Sequence, residues 1–298
     1  MFKRILVHLD PTSDKNGWIS KLVPLAVSFG AHVELFTCGY SRSLKQSHMF
    51  DKSGETHAEH SFIKQCENRL EKLTSPLTLA GVEVGVDAVW DSNTVDGILQ
   101  KADRYDADLV ICELTDHNIL QRLLGEMEAE LARRCKRPLL LMRERHWNET
   151  PIIAAGLDPF HEDNEPHPLD HHILAALAEF TNPLNAVPRV LHSIHTLPHS
   201  AIFDEHVVTD YHALKEHVSE EHHAVVDQLV KDSPLPDSTC IHYLTGEGHA
   251  MLPKYAAENQ LDLLVLGHAE HGLADRLLQG DMVTRIMDDL VCDLLVVK

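Results

Sequence analysis

The chain lacks the features that mark several large classes of protein. No apolar stretch among its 298 residues approaches the ~20 that span a bilayer, so no membrane insertion is expected. Its six cysteines (Cys38, Cys66, Cys112, Cys135, Cys240, Cys292) lie singly on apolar faces, with no CxxC pair to suggest a metal knuckle or redox motif. That usage fits a reduced compartment, and a cytoplasmic protein is expected. Met1 to Asp10 reads as a strand without a small-residue cleavage site, so no secretory leader is expected either. Positive charge is scarce as well. With 26 Lys and Arg against 46 Asp and Glu, the chain repels polyphosphate backbones and anionic membrane surfaces, which disfavours nucleic-acid partners. A P-loop, a nucleophile elbow and a kinase motif are all missing, so the usual parts of catalysis are not there. A non-enzymatic protein is expected, with weak ATP hydrolysis the one activity left open.

What the chain does have is a repeat. Residues 261–298 read as a strand, a glycine-bounded loop, a helix and a last strand, and residues 107–142 read the same way. About a hundred residues before each copy, an apolar strand stops at an aspartate followed by proline: ILVHLDP ending at Asp10, and IIAAGLDP ending at Asp158. A repeat of this length is a duplicated domain. The division predicted is 1–145 and 150–298, joined at RERHWNET.

Within each half, short β-branched and leucine-rich runs alternate with amphipathic helices. Helix one of the first half carries Trp18, Leu22, Leu25 and Phe29 at three- and four-residue spacing and closes at Gly30. Its counterpart carries Leu169, Ile173, Ala176, Leu177 and Phe180, with a stop predicted at Asn182-Pro183. Such alternation predicts two tandem doubly wound α/β domains, each a five-stranded parallel sheet covered on both faces. The two halves are expected to pack through their last strands as a pseudo-dimer within one chain, and a homodimer of chains is a further possibility.

In a doubly wound sheet, small ligands bind beyond the carboxyl ends of the strands where the strand order reverses. Asp10-Pro11 and Asp158-Pro159 end strand one, and the loops after Ile111 and Leu266 end strand four. The bland reading of each aspartate is a turn or cap residue, a common role for Asp-Pro. Matching aspartates and loops in both halves favour a binding site.

Together these residues resemble the universal stress protein family, and the double length resembles its tandem members. The resemblance covers essentially the whole chain and is most specific in GHAEHGLADRLLQGD and CDLLVVK. It implies a Gly-x2-Gly-x9-Gly-Ser/Thr loop after strand four that brings backbone N–H groups to the phosphates and ribose of ATP, and a strand-one aspartate that holds adenine or sugar. Against that pattern Leu266 is followed by Gly267, and Gly280 stands at the right separation, but Glu270 replaces the second glycine and Asp281 the serine or threonine. In the first half the alignment slips by one residue: Cys112 or Glu113, then Thr115, then Gly125 followed by Glu126.

Those carboxylates sit where a polyanion would lie. A like-charge pair at ~4 Å and an effective dielectric near 20 repels by up to ~4 kcal/mol, less with salt. Micromolar binding amounts to about 8 kcal/mol, so losing half leaves millimolar affinity. Neither loop carries a lysine, and Arg122 and Arg276 are the nearby cations. The expectation is a stress-response module for ligand or protein binding with degenerate nucleotide loops and no cofactor. A switch that holds ATP or AMP with magnesium in the second half alone is the alternative, with Mg²⁺ bridging Glu270 or Asp281 to phosphate. A neutral or apolar ligand is a third possibility.

Histidine is the compositional outlier, 23 residues with 16 in the second half. They cluster after strand one, around the end of strand two (His192, His195, His199) and on the long helix (His217, His222, His223 among others). A zinc site needs three or four converging ligands, and His217 with Glu221, or His195 with His199, has the spacing for two. No third ligand accompanies either pair, so surface histidines are the plainer reading; a metal-binding or hydrolytic protein built on this half is the remaining alternative.

Overall fold

The computed structural model describes residues 2–13, 16–41, 43, 52–114, 126–160, 168–194, 211–268 and 282–298. They form two compact units, Met1–Trp147 and Asn148–Lys298. The first runs β1 (Arg4–His8), α1 (Ile19–Phe29), β2 (His32–Gly39), α2 (Lys52–Leu73), α3 (Ser75–Leu79), β3 (Val84–Trp90), α4 (Thr94–Tyr105), β4 (Leu109–Glu113), α5 (Glu126–Arg134) and β5 (Leu139–Met142). The second runs β6 (Ile152–Leu157), α6 (Pro168–Leu184), β7 (Val187–Ile194), α7 (Tyr211–Lys231), β8 (Cys240–Thr245), α8 (Gly248–Glu258), β9 (Leu263–Gly267), α9 (Met282–Met287) and β10 (Asp293–Val297).

Each unit is a parallel sheet of the doubly wound kind. The first is ordered β3-β2-β1-β4-β5 and the second β8-β7-β6-β9-β10. The chain moves outward from β1 through β2 to β3, then crosses back to lay β4 on the other side of β1; β6 and β9 repeat this. The reversal leaves a crevice at the carboxyl ends of β1 and β4, and of β6 and β9.

Local chemistry accounts for the element ends. Trp18, Leu22, Leu25 and Phe29 of the first helix face are all buried. Gly30, at φ 56°, ends α1 in the left-handed conformation, its N–H donating to Val27 and that of Ala31 to Ala26. The side chain of Asn93 caps α4 by accepting from the Asp96 N–H at 3.1 Å. One boundary differs from the sequence reading: α6 does not stop at Asn182-Pro183 but takes Pro183 into its last turn and ends at Leu184, with Asn185 at φ 49°. A proline there forfeits a single bond, to the carbonyl four residues back, and the buried face of Ile173, Leu177 and Phe180 holds the turn in place.

An aspartate before β4 and another before β9 perform the same task. The Asp108 carboxylate accepts from the N–H groups of Lys3 (2.6 Å) and Arg4 (3.0 Å), fixing the start of β1. Buried Asp262 accepts from Asn148 N–H (3.0 Å) and Ile152 N–H (2.8 Å), fixing the start of β6. Upstream of Asn148 the junction residues bond to the first unit: Lys21 Nζ donates to the Arg143 carbonyl at 2.6 Å, and Gly17 N–H to Glu144 at 2.7 Å.

Candidate functional site

In the second unit the crevice is open. At the end of β6, Gly156 stands beside Leu191 of β7 in the sheet register, so the two positions face the same side. Leu266 continues the β6–β9 pairing on that side. Helix α8 covers this face and contributes Gly248 and Leu252. With Leu157, Asp158 and Ser193 these residues line a small groove that opens to solvent. Gly156 is closely packed at the base of the groove: a Cβ there would lie 2.7 Å from Leu266 Cδ2 and 3.3 Å from Leu252 Cδ1. The Ser193 hydroxyl donates to the Gly246 carbonyl at 2.7 Å, which leaves the exposed Asp158 carboxylate as the charged group of the lining.

On the opposite face, helix α7 lies over the end of β7. His192, 1% exposed, places Nδ1 2.9 Å from the Leu157 carbonyl and Nε2 2.6 Å from His222 Nδ1. The His222 ring stacks on Phe160, centroids 3.8 Å apart and planes 19° off parallel. Tyr243 meets His192 edge-on and donates to Asp227 at 2.8 Å. Burial, then the Asp227 carboxylate, push the Tyr243 phenol up from its ordinary range.

The first unit carries the same frame with different filling. Asp10 is exposed, and its Oδ1 accepts from both the N–H and the hydroxyl of Thr12 at 2.6 Å, a turn-forming role. Arg69 of α2 donates to the carbonyls of Asp10 and Pro11, and Phe62 of the same helix packs on Gly39, where a Cβ would meet its ring at 2.7 Å. The register decides the one-residue slip seen in the sequence. Because His8 pairs with Cys112 while Ala155 pairs with Val265, Cys112 occupies the Leu266 position and Glu113 the Gly267 position. Cys112 is fully buried, and burial pushes its thiol well above the ordinary range.

The remaining sequence candidates divide as follows. Pro159 follows Asp158 in a turn, and the Asp158 N–H donates to the buried carboxylate of Asp170 at 3.3 Å. Gly267 lies against α6, where a Cβ would meet Leu169 at 2.7 Å. Glu126 opens α5. Thr115, Gly125, Glu270, Gly280 and Asp281 lie outside the described residues, as do Arg122, Arg276, His195 and His199. His217 and Glu221 form an exposed i,i+4 pair at 3.3 Å, and among the described residues no group of three or more His, Cys, Asp and Glu is placed to hold a metal ion. The His192–His222 contact and the place of Gly156 in the groove lining were not anticipated. The second had a visible signal, since aligning ILVHLDP with IIAAGLDP sets His8 opposite Gly156.

Comparison with known proteins agrees with the duplication. The family model described as the universal stress protein family matches residues 1–143 and again 165–298. Universal stress protein E of Escherichia coli K12 is 21% identical over 312 residues, covering 100% of this chain and 94% of that protein. Its namesake from Photorhabdus laumondii is 19% identical over 300 residues, covering 100% and 95%. Among solved structures, a functionally unknown protein from Pseudomonas aeruginosa PAO1 superposes with TM-score 0.73 at 19% identity, covering 100% of this chain and 92% of that one. A universal stress protein from Archaeoglobus fulgidus does so with TM-score 0.67 at 11% identity, covering 99% and 96%. The chain belongs to the universal stress protein family, with two copies of the family's domain in tandem.

Proposed function

We propose that this chain is a non-enzymatic stress-response protein of the cytoplasm that holds a small uncharged ligand in the groove of its second unit, its nucleotide loops having lost the triphosphate. The observation that carries this reading is the chemistry of the groove: among the described residues, its lining is four leucines, two glycines, a serine whose hydroxyl is already engaged, and one carboxylate, with no lysine or arginine. An apolar crevice with few polar groups suits a small molecule. A polyphosphate needs cations or free N–H donors, and Asp158 opposes it. In the first unit, Asp10 spends its carboxylate on Thr12, which supports the same reading there.

Isothermal titration with ATP and with AMP, each with and without magnesium, tests the proposal. The expected result is no binding tighter than about millimolar, roughly 4 kcal/mol. Submicromolar, magnesium-dependent binding of one nucleotide per chain would replace it with an ATP or AMP switch operated by the second unit.

A further inference from the structure

We infer that His192 and His222 form an acid-released latch: the two rings hold α7 against β7 with no added proton or with one, and let go when both are protonated. The latch is independent of what the groove holds.

Its geometry sets how many protons it tolerates. The Leu157 carbonyl, which can only accept, lies 2.9 Å from His192 Nδ1, so that nitrogen carries a hydrogen and Nε2 accepts across the 2.6 Å to His222 Nδ1. One hydrogen then lies between the rings. A first added proton makes an imidazolium of His222 and leaves this hydrogen in place, now in a charge-assisted bond. The Phe160 ring, stacked on His222 at 3.8 Å, offers a cation its π face. A second proton has only His192 Nε2 to go to. Both facing nitrogens then carry hydrogens and both rings a charge, in a place too buried, with His192 1% exposed, for bulk solvent to screen them. The rings must part.

Parting frees the helix from the strand. Val226, one turn beyond His222 on α7, is fully buried and moves with it. In the first unit the same place is held by a group that does not titrate. Leu9 lies opposite Thr37 as Leu157 lies opposite His192, and the Thr37 hydroxyl donates to the Leu9 carbonyl at 3.0 Å.

Among the described residues, the charged and titratable groups that the packed elements bring to the pair are Glu221, His223 and Asp227 of α7, Tyr243 of β8, Asp158 after β6 and Asp170 of α6. Their fields set the pH at which each step falls. They leave the order of events unchanged, because two N–H groups pointing at each other have no acceptor between them whatever surrounds them.

NMR of histidine rings and of valine and leucine methyls on the full chain, from about pH 8 to about pH 4.5, tests the latch. In the wild type, the pair is expected to take up its two protons in separate steps. The Val226 methyls should hold still through the first step and shift with the second, while Leu177 of α6 reports an intact core. In His222→Gln the carboxamide can donate to Nε2 or accept from it once protonated, so the bond survives and Val226 should not move over the same range. If His222→Gln does not fold, His192→Thr, which installs the hydroxyl of the first unit, gives the same reading. A Val226 shift that persists in the folded variant, one that coincides with a shift of Leu177, or two protons taken up with Val226 unmoved overturns the inference.

Discussion

His192 Nε2 and His222 Nδ1 lie 2.6 Å apart, and with His192 neutral the proton between them is donated by His222. The other nitrogen of His192 faces the Leu157 carbonyl, which can only accept, so Nδ1 carries the hydrogen and Nε2 must accept in turn. A chain of donors therefore runs from α7 through β7 to the last residue of β6. Thr37 does the equivalent work in the first unit, its hydroxyl donating to the Leu9 carbonyl at 3.0 Å.

Truncating His222 should show that this link is structural. His222→Ala removes the donor to a buried ring and the partner stacked on Phe160, and is expected to cost about 1–3 kcal/mol in urea denaturation. His217→Ala, four residues from Glu221 on an exposed stretch of the same helix, should cost less than about 0.5 kcal/mol. Equal effects of the two substitutions would refute the assignment.

Acid should weaken the first unit through His8. Unfolded, its imidazole titrates near the ordinary 6.5; folded, burial holds it at about 4. Between those values the unfolded chain binds a proton that the folded chain excludes. The contribution is therefore whole above pH 6.5 and lost as pH falls toward 4, amounting to about 3 kcal/mol. Denaturation midpoints measured across this range should fall less steeply for His8→Leu than for the wild type.

Removing the Asp262 carboxylate should loosen the second unit at its first strand. Asp262→Ala leaves the N–H groups of Asn148 and Ile152 without their charged acceptor, a loss of about 3 kcal/mol. Hydrogen exchange at the Ile152 amide is the direct readout, and unchanged protection would show that the carboxylate contributes nothing there.

Gly267 is a packing glycine in this structure, whatever its place in a nucleotide loop. Gly267→Ala would set a methyl 2.7 Å from Leu169 and 2.8 Å from Ile173, and overpacking of that kind costs about 1–3 kcal/mol. The thermal midpoint should drop without any ligand present. A midpoint that stays put, with loss only of ligand binding, would return Gly267 to a purely functional role.

Much of this architecture was legible residue by residue. The three- and four-residue spacing of Trp18, Leu22, Leu25 and Phe29 gave α1, and Gly30 gave its end, because both are properties of a few neighbouring residues. Pro183 misled for the same reason: a local rule ends a helix there, and the packing of Phe180 and Leu177 overrode it. The Cys112-or-Glu113 ambiguity could not be settled from composition, since it depends on which residue of β4 lies beside His8. Likewise His222 was one histidine among several on a polar helix until packing set it against a strand residue thirty positions earlier.

The sequence by itself determined that this is a duplicated α/β chain whose first strands are followed by Asp10 and Asp158, because periodicity, turn chemistry and repetition are written in short stretches of neighbouring residues. Only the tertiary structure decided what those strand ends enclose. Gly156, Leu191, Leu252 and Leu266 come from three strands and a helix, and only register and side-chain volume across the sheet bring them together around one groove. Close packing makes that outcome depend on several positions at once, since Leu266 and Leu252 fill the room beside Gly156 that a side chain there would need.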